Sequence, residues 1–214
     1  KEAAYRLVDL LSIEKNYQRT VELYDDAIGA YPEYERHRFE ALFNAAEAYF
    51  WLGNYDNSEK LFQRFINEAS AHTDSALAYV RLGEISEIAR SNLAAAKQYY
   101  HKARDGYPFS LGDLVGGIRE ARISINEENE PGYIVKNLKE YLKDKTIDID
   151  IRRMAELTLA DYLIASGEFE SAIQMSGKGM RENQGQAHEA YKYIFMKGMF
   201  AKLEKFSHDS KPTD

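Results

Sequence analysis

One pattern in this chain returns at a fixed interval. In Tyr49-Phe50-Trp51-Leu52-Gly53-Asn54-Tyr55 an apolar stripe runs into Gly-Asn and restarts at an aromatic residue. The restart at Tyr55 has counterparts at Tyr17, Leu93 and Phe169, with gaps of 38, 38 and 76 residues, the last being two periods. A period of this size means stacked supersecondary units, each burying its apolar face against its neighbours. Such a chain grows as a row, so its function is expected in surfaces rather than in an enclosed pocket.

Within each period the apolar residues fall at helical spacing. Ala4, Leu7, Val8 and Leu11 form one stripe. Lys15-Asn16 interrupts it, and Tyr17, Thr20, Tyr24 and Ala27 form a second that ends at Tyr31-Pro32. Leu42, Ala45, Ala46 and Tyr49, then Tyr55, Ser58, Phe62 and Phe65, repeat the scheme around Gly53-Asn54. The third unit (Tyr79, Leu82, Gly83, Ser86) runs one residue out of phase, so its turn near Arg90-Ser91-Asn92 is expected to hold an extra residue. Leu93, Ala96, Tyr100 and Ala103 follow, closed by Tyr107-Pro108. The fourth unit is degenerate, yet Ile118, Ala121 and Ile125, then Ile134, Leu138 and Tyr141, keep the frame. The fifth has Leu159, Ala160 and Leu163, Ser166-Gly167, then Phe169, Ala172 and Ile173. Its second helix carries Gly177 and Gly179, each expected to weaken it by roughly 1 kcal/mol.

The prediction is an all-α fold: a right-handed α-solenoid of about five helical hairpins of period 38. The units are about 1–34, 38–72, 75–109, 113–145 and 152–183, in a single domain 1–206. A capping helix at 187–206 would turn Tyr191, Ile194, Phe195, Met199 and Leu203 inward and a polar face outward, and 207–214 would be a disordered tail.

Composition excludes several classes. Thirty-five acidic residues against 28 basic, a net charge of −7, argue against a nucleic-acid partner. There is no cysteine, and no apolar run of transmembrane length. His37, His72, His101, His188 and His208 form no zinc pattern, and Ser176-Gly177-Lys178-Gly179 is no phosphate loop. Gly112 to Gly117 reads as a loose loop leading into a helix, and Thr146 to Asp150 as a linker capping the next one. No catalytic residue, cofactor or metal is expected. The start at Lys1 suggests a processed or shortened chain.

Leu42, Ala45, Ala46, Tyr49, Gly53-Asn54-Tyr55, Ser58 and Phe62 together resemble the tetratricopeptide repeat family. Gly167-Glu168-Phe169 with Ala172, and Tyr17, Tyr24, Ala27 and Pro32, carry the same resemblance, which covers about residues 1–181. The usual family period is 34, so each unit here is longer by about one helical turn. With the Tyr-Pro endings, this resembles long-repeat bacterial envelope members, among them outer-membrane assembly lipoproteins and Tol–Pal-associated periplasmic coordinators. The resemblance favours a periplasmic or outer-membrane-associated setting over a cytoplasmic one.

Stacked hairpins curve, and the first helix of each lines the concave side. Its non-stripe residues are the candidate partner-binding groove: Tyr5, Asp9, Phe43, Asn44, Glu47, Phe50, Trp51, Arg81, Glu84 and Arg119, with Glu40, Val80, Glu87 and Ile123 beside them. Phe50 and Trp51 have two readings, as peptide anchors or as packing against the next unit. Family members that grip a C-terminal carboxylate use Lys, Asn and Arg at groove positions. Here only Asn44 and Arg81 fit in type, so no carboxylate clamp is expected. Glu47, Glu84 and Glu87 point instead to a basic or mixed, partly apolar segment. The expected function is a non-enzymatic scaffold or adaptor. The alternative is self-association, as a homo-oligomer, or docking within a longer protein, through an exposed stripe such as Tyr5 and Ile13. An enzyme or small-ligand sensor finds no supporting motif.

Overall fold

The computed structural model describes residues 1–35, 38–126 and 132–209, with Glu35, Asn126, Tyr133, Ile134, His208 and Asp209 described by their backbone alone. Expectations at His37 and residues 210–214, and for the side chains of Ile134 and His208, lie outside this description. Every element among the described residues is a helix. In chain order these are α1 (Glu2–Ile13), α2 (Tyr17–Ala30), the short α3 (Pro32–Glu35), α4 (Phe39–Trp51), α5 (Tyr55–Glu68) and α6 (Ser75–Ile88). They continue with α7 (Leu93–Gly106), α8 (Leu111–Asn126), α9 (Gly132–Tyr141), α10 (Ile149–Ala165), α11 (Phe169–Glu182) and α12 (Gly185–Asp209). Within each unit successive helices pack side by side, as in a helical-repeat solenoid. The chain divides into two compact units, 1–116 and 117–214.

The period is written into the turns. α2, α5, α7 and α11 open on the four repeating residues, Tyr17, Tyr55, Leu93 and Phe169, and each is 14 residues long. Two places earlier stand Lys15, Gly53, Ser91 and Gly167, with φ of 58°, 75°, 51° and 81°. Glycine suits this left-handed geometry, and Lys15 and Ser91 adopt it because the surrounding turn demands it. In three of the turns the next amide donates to the carbonyl five residues back: Asn16 to Leu11, Asn54 to Tyr49, Glu168 to Leu163. Asn92 donates instead to Ser86, six residues back, so the third turn does hold its extra residue. The side chains of Asn54 and Asn92 then cap α5 and α7 by accepting from the amides of Asn57 and Ala95.

Close approach holds each hairpin together. Thr20, Ser58, Ala96 and Ala172, three residues into the second helices, are fully buried. Four residues further on in the first three of these helices, so are Tyr24, Phe62 and Tyr100. Small residues let the backbones approach while the large ones fill the space beside them. Ser58 Oγ donates to the Ala46 carbonyl at 2.9 Å, which satisfies a hydroxyl that has no water.

Several glycines serve the same purpose. A Cβ on Gly83 would lie 2.3 Å from the Tyr100 ring, and one on Gly179 would lie 2.3 Å from the Tyr191 ring. Gly179 therefore seats an aromatic of α12, and α11 runs unbroken through Gly177 and Gly179. The expected loose loop at 112–117 is likewise part of α8: Gly112 abuts the Ala76 backbone and Gly116 the Tyr100 carbonyl.

The last helix departs from expectation. α12 extends to Asp209, past the expected end at 206. Tyr191 and Ile194 are buried, but Met199 and Leu203 are exposed, and the outer face carries Tyr193, Met196 and Phe200 instead of polar residues. One period after Gly167 falls Lys205, and the helix continues through it. Leu7 of the first stripe is also exposed, together with Leu10 and Ile13.

Gly179→Ala should lower stability by about 1–3 kcal/mol, because overpacking against the buried Tyr191 ring outweighs the gain of about 1 kcal/mol in helix propensity. Gly29→Ala, in α2 with nothing within 4 Å of the added methyl, should raise it. Urea denaturation of both variants measures the two signs.

Candidate protein-binding surface

The polar candidates in the first unit meet, and they bond to one another. Asn44 Nδ2 on α4 donates to Asp9 on α1 at 2.8 Å. Arg81 on α6 forks onto Glu47 on α4, with Nε to Oε1 at 2.5 Å and Nη2 to Oε2 at 3.0 Å. Its Nη1 donates to Glu84 at 2.6 Å. The guanidinium also lies 4.8 Å from the Phe50 ring centre and 5.2 Å from that of Trp51. Burial opposes the Arg81 charge, but the hydrogen bonds and charges of Glu47 and Glu84 outweigh it and raise the pKa above the usual arginine value. These groups tie α1 to α4 and α4 to α6. The carboxylates expected to attract a basic segment are largely spent: Glu47 and Glu84 on Arg81, and Glu87 on the Tyr100 hydroxyl at 2.8 Å.

The aromatic candidates separate. Tyr5 is fully buried and donates its hydroxyl to the Tyr31 carbonyl at 3.2 Å, so it offers no groove surface. Phe50 is 8 % exposed and packs edge-on to Tyr55, which makes it a core residue. Phe43 is half-buried between Phe62 and Phe65. Val80 and Ile123 are buried as well. Arg119, in the second unit, is half-buried on α8.

Trp51 is the exception. It is 53 % exposed, yet its ring is fixed. Tyr17 stacks on it at 6.1 Å and 16°, and its Nε1 donates to Glu47 at 3.1 Å. It is the last residue of α4. The last residues of α1 and α6, Ile13 and Ile88, are 75 % and 55 % exposed. Three successive hairpins thus present a large apolar side chain at the same place. The pattern was available in the sequence once the one-residue offset of the third unit is applied, but Ile13 and Ile88 look there like ordinary members of a stripe.

The second unit has an apolar cleft of about 380 Å³, lined by Met154, Leu157 and Thr158 of α10 and by Ala190, Tyr193 and Ile194 of α12, with Arg122 and Asp161 at its polar edges. Among the described residues, no group of three His, Cys, Asp or Glu side chains could hold a metal, and no helix is long and apolar enough to cross a membrane.

Residues 40–71, which span α4 and α5, match the tetratricopeptide repeat family model. The second hairpin therefore matches a tetratricopeptide repeat, and it is set in an array of helix pairs. No curated protein matches the chain.

Arg81→Met should destabilise the first unit by about 3 kcal/mol at pH 7, since it removes the guanidinium that the Glu84 and Glu47 carboxylates share. Burial, partly offset by the Asn44 hydrogen bond, raises the Asp9 pKa above the usual aspartate value. A raised folded pKa gives stability that is present at low pH and lost as pH rises through it. Asp9→Asn should therefore gain on the wild type between about pH 3.5 and pH 7 in denaturation experiments. A reversed trend would show that the charged form of the Asn44 bond outweighs burial.

Proposed function

We propose that the protein is a non-enzymatic scaffold that holds an extended segment of a partner protein along the apolar row Ile13, Trp51 and Ile88, with Trp51 as the anchor. The row's recurrence at one position in three successive hairpins carries this reading. Trp51 is held by Tyr17, Glu47 and Arg81 before any partner arrives, so binding costs little side-chain entropy there. Packed helices lie about 8–10 Å apart and an extended chain advances about 3.3 Å per residue. A segment with apolar side chains roughly three residues apart matches that repeat. Asp9, Asn44, Glu47, Arg81 and Glu84 act here as the frame that fixes the row. The 38-residue period and the endings Tyr31-Pro32 and Tyr107-Pro108 support a bacterial envelope setting, which fractionation of the native cells tests.

Peptides selected against the wild-type chain from a displayed library should bind Trp51→Ala at least tenfold more weakly, while the variant keeps its helical circular dichroism. They should also shift the emission of Trp51, the only tryptophan, to shorter wavelength. Equal binding to the variant, with no change in emission, would place the surface elsewhere.

A further inference from the structure

The outer face of α12 carries a run of exposed large apolar side chains. Tyr193, Met196, Met199, Phe200, Leu203 and Phe206 are each between 40 and 67 % exposed and follow one another along a single helix. Large side chains of this kind bury about 150–250 Å² each, so these six expose roughly 600 Å² of mostly apolar surface. Monomeric soluble proteins rarely leave a patch of that size uncovered.

The spacing shows what fits it. Tyr193, Met196, Phe200 and Leu203 are separated by three, four and three residues, the seam of a two-helix coiled coil. The seam is symmetric about Gly198: Met196 and Phe200 lie equally far from it, and so do Tyr193 and Leu203. Gly198 itself faces inward, onto Ile173 and Ile164, so the symmetric point lies on a helix seated against its own unit. The helix is also pinned by Lys197 to Asp161 at 2.6 Å and Lys202 to Glu170 at 2.9 Å, which present the stripe on a fixed support. A second α12 running antiparallel would set each Tyr193 against Leu203 of the other copy, and each Met196 against Phe200. Every ring then meets an aliphatic or thioether chain, whereas a parallel pair would stack like on like. A two-fold interface needs such a self-complementary patch. The two copies together would bury roughly 1,200 Å², the lower bound of specific interfaces.

We infer that the protein forms a two-fold dimer through antiparallel pairing of α12, on a surface separate from the Trp51 row. The 214-residue chain should rise from its monomer mass of 24.6 kDa toward twice that value between about 1 and 100 μM in sedimentation equilibrium. Phe200→Glu and Met196→Glu change exposed positions, so they should keep the wild-type circular dichroism and stay monomeric throughout. Leu7→Glu, on the exposed stripe of α1, should dimerise like the wild type. The 214 residues include no cysteine, so single-cysteine variants report register cleanly. Met196→Cys mixed with Phe200→Cys should give more oxidised cross-linked dimer than either variant alone. A monomer at every concentration overturns the inference and leaves the face to a different partner. Loss of association in Leu7→Glu overturns it in favour of head-to-tail stacking, and stronger self-cross-linking of each cysteine variant overturns the antiparallel register.

Discussion

The contact between the two helices of each hairpin is the constraint on which the rest of the structure depends. Three residues into α2, α5, α7 and α11 sit Thr20, Ser58, Ala96 and Ala172, each without solvent. A large side chain there would push the backbones apart and leave Tyr24, Phe62 or Tyr100 with nothing to fill. Once the hairpins are this tight, their outer sides are shallow, and each must be covered by the next hairpin. Gly83 under Tyr100 and Gly179 under Tyr191 show how little space remains at these contacts.

Tight hairpins also place charged residues of neighbouring first helices within reach of each other. Asp9 with Asn44, and Arg81 between Glu47 and Glu84, are consequences of that spacing. Few polar groups on this face are then left to act on a partner. What it can offer is apolar surface held in place, at the helix ends where the stripe outruns its cover. Trp51 and, on the second unit, the outer face of α12 are both of this kind. A repeat array makes binding surface wherever its stripe continues and its next unit does not.

Much of the fold could be read directly because the turn chemistry and the stripe repeat together. The second helices begin where the recurring aromatic or Leu93 stands, and the extra residue before Asn92 is visible as a phase slip. Lys15 and Ser91 were less legible: neither residue type signals a left-handed turn, and only the period places them in one. At the candidate site the burial of individual residues was not legible. Phe50 and Trp51 are adjacent, about 100° apart around the helix, and a sequence pattern cannot say which of two neighbouring aromatics the next helix will cover. Tyr5 was misplaced for the same reason. Its ring is needed inside the first hairpin, with its hydroxyl satisfied by the Tyr31 carbonyl.

By itself the sequence determined the all-helical repeat, its 38-residue period, the hairpin turns and the small residues that let helices meet. These rest on local spacing and backbone preference, which act within a few residues of where they are written. Only the tertiary structure decided which stripe residues remain outside: Trp51 rather than Phe50, and Tyr193, Met196 and Phe200 on a helix expected to end the row with a polar face. Exposure depends on what the neighbouring unit covers, and covering is a property of the packed array rather than of any one stretch of chain.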